Sequence, residues 1–69
     1  MPSNGIQVSG ATIRVLRENE GLNLRDFAKL VGVSFGFLGH VELGSRLPSP
    51  KTAKRIADVL GVTVKELRA

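Results

Sequence analysis

Apolar residues along this chain recur at intervals of three and four, and no segment alternates with period two, so the pattern is that of helices each burying one stripe. The first stripe holds Ile13 and Leu16, with Val15 beside them. Ser9 stands where a cap is needed and Gly21 follows Glu20, which predicts helix 1 over Gly10 to Glu20. Asn23 caps the next segment, LRDFAKLV, where Asp26 suits the positive end of the helix dipole and Phe27, Ala28 and Val31 form one apolar face. Gly32 ends it. Ser34 caps FGFLGHVEL, whose Phe37, Leu38 and Val41 share a face, and Gly44 closes it. Ser49 as cap, with Pro50 at the first helical position, opens a fourth helix that runs through Leu60 and stops at Gly61. Its core residues are Ala53, Ile56, Ala57 and Leu60. Thr63 and Glu66 form a capping-box pair that starts a last short helix carrying Val64 and Leu67.

The expected fold class is therefore all-α with five helices. Only Gly32, Val33 and Ser34 separate the second helix from the third, too short a link for antiparallel packing, so the two must cross steeply in a helix-turn-helix. Residues 1–8 mix Pro, Ser, Asn, Gly and Gln with isolated apolar positions and read as a flexible N-terminal arm, leaving 9–69 as one domain.

Composition narrows the function. A chain of 69 residues is about half a typical domain, too small for a cleft between two lobes. With 42% hydrophobic but only 4% aromatic residues, the core must be built from interlocking aliphatic side chains. No cysteine and a single histidine exclude a zinc finger, a thiol redox centre and a disulfide scaffold. No apolar run is long enough for a signal peptide or a membrane span, so a cytoplasmic protein is expected, nucleoid-associated in a bacterial host. Ten Lys and Arg against six Asp and Glu give a net charge of +4, which favours a polyanionic partner.

From about Val8 to Leu67 the chain resembles the lambdoid phage repressor and Cro-like helix-turn-helix domains, also called the xenobiotic-response-element family. The resemblance rests on Arg17, Gly21-Leu22-Asn23, Ala28, Gly32-Val33-Ser34, Glu42 and Gly44, then Pro48-Ser49, Ile56-Ala57 and Leu60-Gly61-Val62, all in order. It implies a compact lambda-repressor-like domain that binds double-stranded DNA as a small transcriptional regulator, with helix 3, residues 35–43, in the major groove. It also implies an ion pair between Arg17 and Glu42 that fixes the pose of helix 3.

With Phe37, Leu38 and Val41 facing inward, the outward residues of helix 3 are Phe35, Gly36, Gly39, His40 and Leu43. Phe35, Gly36, Gly39 and His40 are the expected base contacts. They depart from the amide and guanidinium side chains common in the family, so direct readout of bases is thin. Expected phosphate contacts are Asn23, Leu24, Arg25, Ser34 and Arg46, although Leu24 stands where the family often has Gln. Lys51, Lys54 and Arg55 read first as an ordinary solvated face. Gly36 and Gly39 each cost roughly 1 kcal/mol relative to Ala within a helix, which asks for compensation by close approach to DNA or to another subunit.

A homodimer on two half-sites is expected, with Val64 and Leu67 of the last helix as its contact. An antitoxin or excision-control protein built on the same module is the nearest alternative. A protein-interaction module using the apolar surface of helix 3 is a different class. An enzyme is not expected: His40 and Glu42 diverge on their helix, and no nucleophile, phosphate-binding loop or metal cluster accompanies them. Neither a cofactor nor a membrane partner is expected.

Overall fold

The structure, a computed structural model, describes residues 5–68. Side-chain oxygens open every helix by accepting a hydrogen bond from an otherwise orphaned first-turn N–H. Ser9 accepts from Thr12 and begins α1 (Gly10–Asn19); Asn23 accepts from Asp26 and begins α2 (Leu24–Val31). Ser34, accepting from Phe37, begins α3 (Phe35–Leu43), and Ser49, accepting from Thr52, begins α4 (Pro50–Leu60). Thr63 accepts from Glu66 at the start of α5 (Val64–Leu67). The expected helices are present with nearly the expected bounds. Glu20 lies just outside α1 as its C-cap.

The turn between α2 and α3 depends on Gly32, at φ +88°. In that left-handed conformation the N–H of Val33 reaches back to the Ala28 carbonyl at 3.1 Å, and the chain reverses at once into the Ser34 cap. A residue with a Cβ would pay about 1–2 kcal/mol to adopt this geometry.

Ile13, Phe27, Ala28, Val31, Leu38, Val41, Ile56, Ala57, Leu60 and Leu67 form one buried cluster. α1 and α2 both pack on α3, α4 closes over α2, and α5 bridges α4 and α1. Helix 3 is thus held from two sides while its remaining face is left outward. Of the apolar positions on α1, Ile13 is buried and Leu16 half-buried, whereas Val15 faces solvent. Phe37 is only partly covered.

Two expectations change. Leu67 is fully buried in the chain's own core and Val64 is half-buried against it, so the expected contact residues of α5 are taken up in this chain's own packing. A short apolar segment at a chain end looks the same in sequence whether it closes its own core or a partner's. The arm also attaches earlier than expected. Its first four residues lie outside the described region, but the Ile6 N–H donates to the Pro48 carbonyl at 2.8 Å and Val8 packs against the core. The Ser9 N–H then donates to the Leu67 carbonyl at 2.7 Å, tying the two ends of the domain together. Among the described residues no helix is long and apolar enough to cross a membrane.

Candidate nucleic-acid interface

The inner side of α3 is anchored by fully buried Leu38 and Val41, and its C-terminal end is anchored by charge. Arg17 on α1 donates from Nε to Glu42 Oε2 at 2.7 Å and from Nη2 to Glu42 Oε1 at 3.1 Å, a bidentate fork. A third donor, Nη1, reaches the Leu22 carbonyl at 2.8 Å. The side chains of Arg17 and Glu42 are only 11% and 7% exposed. Hydrogen bonding to Glu42 raises the Arg17 pKa above the ordinary arginine value, opposed by burial and assisted by the charges of Glu42 and Glu18. The Arg17 guanidinium is therefore held as a cation by the Glu42 fork, which joins two helices.

Gly10 explains how α1 comes near enough for this pair. A Cβ at Gly10 would run into the backbone carbonyls of Val41 and Glu42, so only glycine lets the start of α1 touch the end of α3.

The outer side of α3 is the reverse. Phe35, Gly36, His40 and Leu43 are exposed, and Gly39 is half-buried beside Leu24. A Cβ on Gly36 would meet nothing within 4 Å, so the backbone itself is the outermost surface there. His40 is the only outward side chain of α3 with hydrogen-bonding atoms. Its Nδ1 lies 2.8 Å from Ser45 Oγ, just beyond the end of the helix.

The expected phosphate contacts fall into distinct arrangements. The side-chain oxygens of Asn23 and Ser34 are committed to capping, accepting from Asp26 N–H at 2.8 Å and from Phe37 N–H at 3.1 Å. Leu24 turns its half-buried side chain toward the core and leaves only main chain for an anion. Arg25 lies over the ring of Phe35 at 4.6 Å, and Arg46 over Phe37 at 5.6 Å. Each arginine thus stacks on an aromatic ring of α3. A shallow hollow of about 290 Å³ lies beside the first pair, lined by Arg25, Asp26, Ala28, Lys29, Val33 and Phe35. On α4, Lys51, Lys54 and Arg55 are exposed and Lys54 pairs with Asp58 at 2.7 Å, the solvated face read from the sequence.

Sequence reasoning missed Gly10, Ser45 and both arginine–ring pairs. The first could have been suspected from a glycine directly after an N-cap, where helix propensity gives no reason for one. The others join residues brought together by the crossing of helices, and no spacing rule signals them.

Comparison with known proteins agrees with this geometry. The helix-turn-helix family profile matches residues 13–67. The chain is 39% identical over 61 residues to YazB of Bacillus subtilis, an uncharacterized helix-turn-helix-type transcriptional regulator, covering 88% of each chain. It spans only 21% of the length of three mycobacterial regulators that it also matches at 39% identity. Among solved structures it is similar to the restriction-modification controller protein C.AhdI of Aeromonas hydrophila, with a TM-score of 0.80 and 33% identity, covering 84% of this chain and 88% of that one. It is also similar to the biofilm master regulator SinR of Bacillus subtilis in complex with DNA, with a TM-score of 0.81 and 28% identity over 87% of this chain and 97% of that one. A tight α2–α3 turn through a left-handed glycine, an outward third helix and a family match over most of its length make this chain a member of the helix-turn-helix family.

Proposed function

We propose that the protein is a sequence-specific DNA-binding transcriptional regulator that lays the outer face of α3 in the major groove. One observation carries the reading: a helix anchored on its inner side by Leu38, Val41 and the Arg17–Glu42 fork presents an outer face on which Phe35, His40 and Leu43 flank bare backbone at Gly36. Gly36 and Gly39 let the helix backbone come close to base edges, Phe35 offers an apolar surface to a thymine methyl group, and His40 supplies a polar contact. Arg25 and Arg46, with the main-chain N–H groups at the starts of α2 and α3, contact phosphates. Asn23 and Ser34 act there by holding those helix ends open, and Leu24 contributes its main chain only.

A single module reaches few base edges, so binding is by two copies on half-sites about 34 Å apart, one turn of the duplex. Their contact lies outside α5, whose Leu67 is buried within its own chain.

Selection of bound fragments from a random DNA pool tests the reading, with a repeated half-site as the expected result. Arg25→Ala and Arg46→Ala should each weaken binding alike on all sequences and reduce the salt slope by about one. Exposed Phe35 and Leu43 favour one other reading, an apolar protein-docking face. That reading predicts no enriched DNA and an interaction that survives high salt.

A further inference from the structure

His40 is the one histidine of the chain, and its Nδ1 has a hydroxyl partner whose own hydrogen bonding bears on the tautomer. Ser45 Oγ lies 2.8 Å from His40 Nδ1 and 3.2 Å from the His40 carbonyl oxygen. A serine hydroxyl has one proton to give and lone pairs with which to accept. If that proton goes to the carbonyl, the hydroxyl accepts from a protonated Nδ1 and both contacts are hydrogen bonds. If it goes instead to Nδ1, the hydroxyl oxygen stands 3.2 Å from a carbonyl oxygen that already accepts from the Ser45 and Arg46 N–H groups, with no proton between the two oxygens. The first arrangement satisfies both contacts. It leaves Nε2 of the neutral ring without a proton, pointing away from the Ser45 contact as a bare acceptor.

The surroundings make that nitrogen prominent. Gly36 precedes His40 by one helical turn on the same face and Gly39 is its immediate neighbour, so neither puts a side chain beside the ring. We propose that Ser45 is a positioning residue that fixes His40 with its proton on Nδ1, and that Nε2 thereby selects a base bearing an exocyclic amine. In the major groove those bases are adenine, through N6, and cytosine, through N4; guanine O6 and thymine O4 would face Nε2 as like acceptors. The inference rests on the DNA-binding reading for its ligand, while the tautomer rests on the protein alone.

A long-range proton–nitrogen correlation spectrum of uniformly nitrogen-15-labelled protein at pH 8 reads the single histidine directly. The expected result is a protonated Nδ1 and a bare Nε2, the reverse of the tautomer that a free imidazole side chain favours. Ser45→Ala should return the ring to the free preference, and Ser45→Thr should restore the wild-type pattern. A wild-type ring protonated on Nε2, or one unchanged by Ser45→Ala, overturns the proposal. On single-base variants of a selected site, wild-type protein should favour adenine or cytosine at one position by about tenfold. His40→Ala and Ser45→Ala should both flatten that preference and leave the other positions alone. Retention of it by Ser45→Ala overturns the positioning role with DNA binding intact, whereas failure to enrich any DNA overturns the functional reading itself and leaves the spectrum to decide the tautomer.

Discussion

The two sides of α3 solve opposite problems. Its inner side is over-determined, with Leu38 and Val41 fully buried, Glu42 held in a bidentate fork, and its end pressed against Gly10. Its outer side is held by little, with two glycines, one imidazole and two exposed apolar side chains. A helix of this length that carries Gly36 and Gly39 is poor by intrinsic propensity, so its order comes from the face that it buries. Tertiary packing frees the outer face from having to stabilise anything. A reading surface can then be chosen for its fit to a ligand at little expense to the fold.

The same contrast separates two arginines of α1. Arg14 pairs with Glu18 at 3.2 Å and Arg17 with Glu42 at 2.7 Å, but the first pair is more than half exposed and the second is nearly buried. Similar chemistry therefore carries very different weight.

The largest break should come from Arg17→Ala. It leaves the Glu42 carboxylate buried without its partner, and a loss of about 3–5 kcal/mol is expected, enough to unfold much of a domain this small at room temperature. Chemical denaturation followed by circular dichroism measures it, and a loss below about 1 kcal/mol would show the inner anchor to be apolar alone. Because hydrogen bonding to Glu42 raises the Arg17 pKa, Arg17's own share of the pair is in place below the ordinary arginine value and is lost on alkaline titration past the raised one. Arg17 itself thus adds no acid sensitivity to the fold.

Gly10→Ala should cost about 1–3 kcal/mol by forcing α1 away from the Val41 and Glu42 carbonyls. An unchanged melting temperature would mean that the two helices can part without loss.

On the outer face the sign reverses. Gly36→Ala meets open space and should stabilise the domain by about 0.5–1 kcal/mol. In fluorescence anisotropy the same variant should bind DNA more weakly, since in the proposed docking its methyl group would stand between the backbone and the groove. Tighter folding with unaltered binding would separate the glycine from recognition.

The smallest effect belongs to Arg14→Ala, about 0.3–0.5 kcal/mol, because an exposed pair four residues apart on a helix is well solvated. A loss as large as that of Arg17→Ala would remove burial as the explanation for the difference between the two arginines.

What could be read from the sequence was what local chemistry decides. Caps at Ser9, Asn23, Ser34, Ser49 and Thr63, stops at Gly32, Gly44 and Gly61, and the spacing of Phe27, Val31, Leu38, Val41, Ile56 and Leu60 each involve neighbours within a turn or two. They set five helices and a tight α2–α3 turn before any packing is considered. The burial of Leu67, the attachment of Ile6 to Pro48, the seat of Gly10 and the rings beneath Arg25 and Arg46 were decided only when the helices crossed. Between these cases lies the Arg17–Glu42 pair, whose positions the family resemblance supplied but whose fork geometry and burial belong to the fold. Periodicity reports which face of a helix is apolar, and caps report where it begins. Neither carries the distance between helices, and that distance determines which residue must lack a side chain, which charge must be paired and which ring is covered.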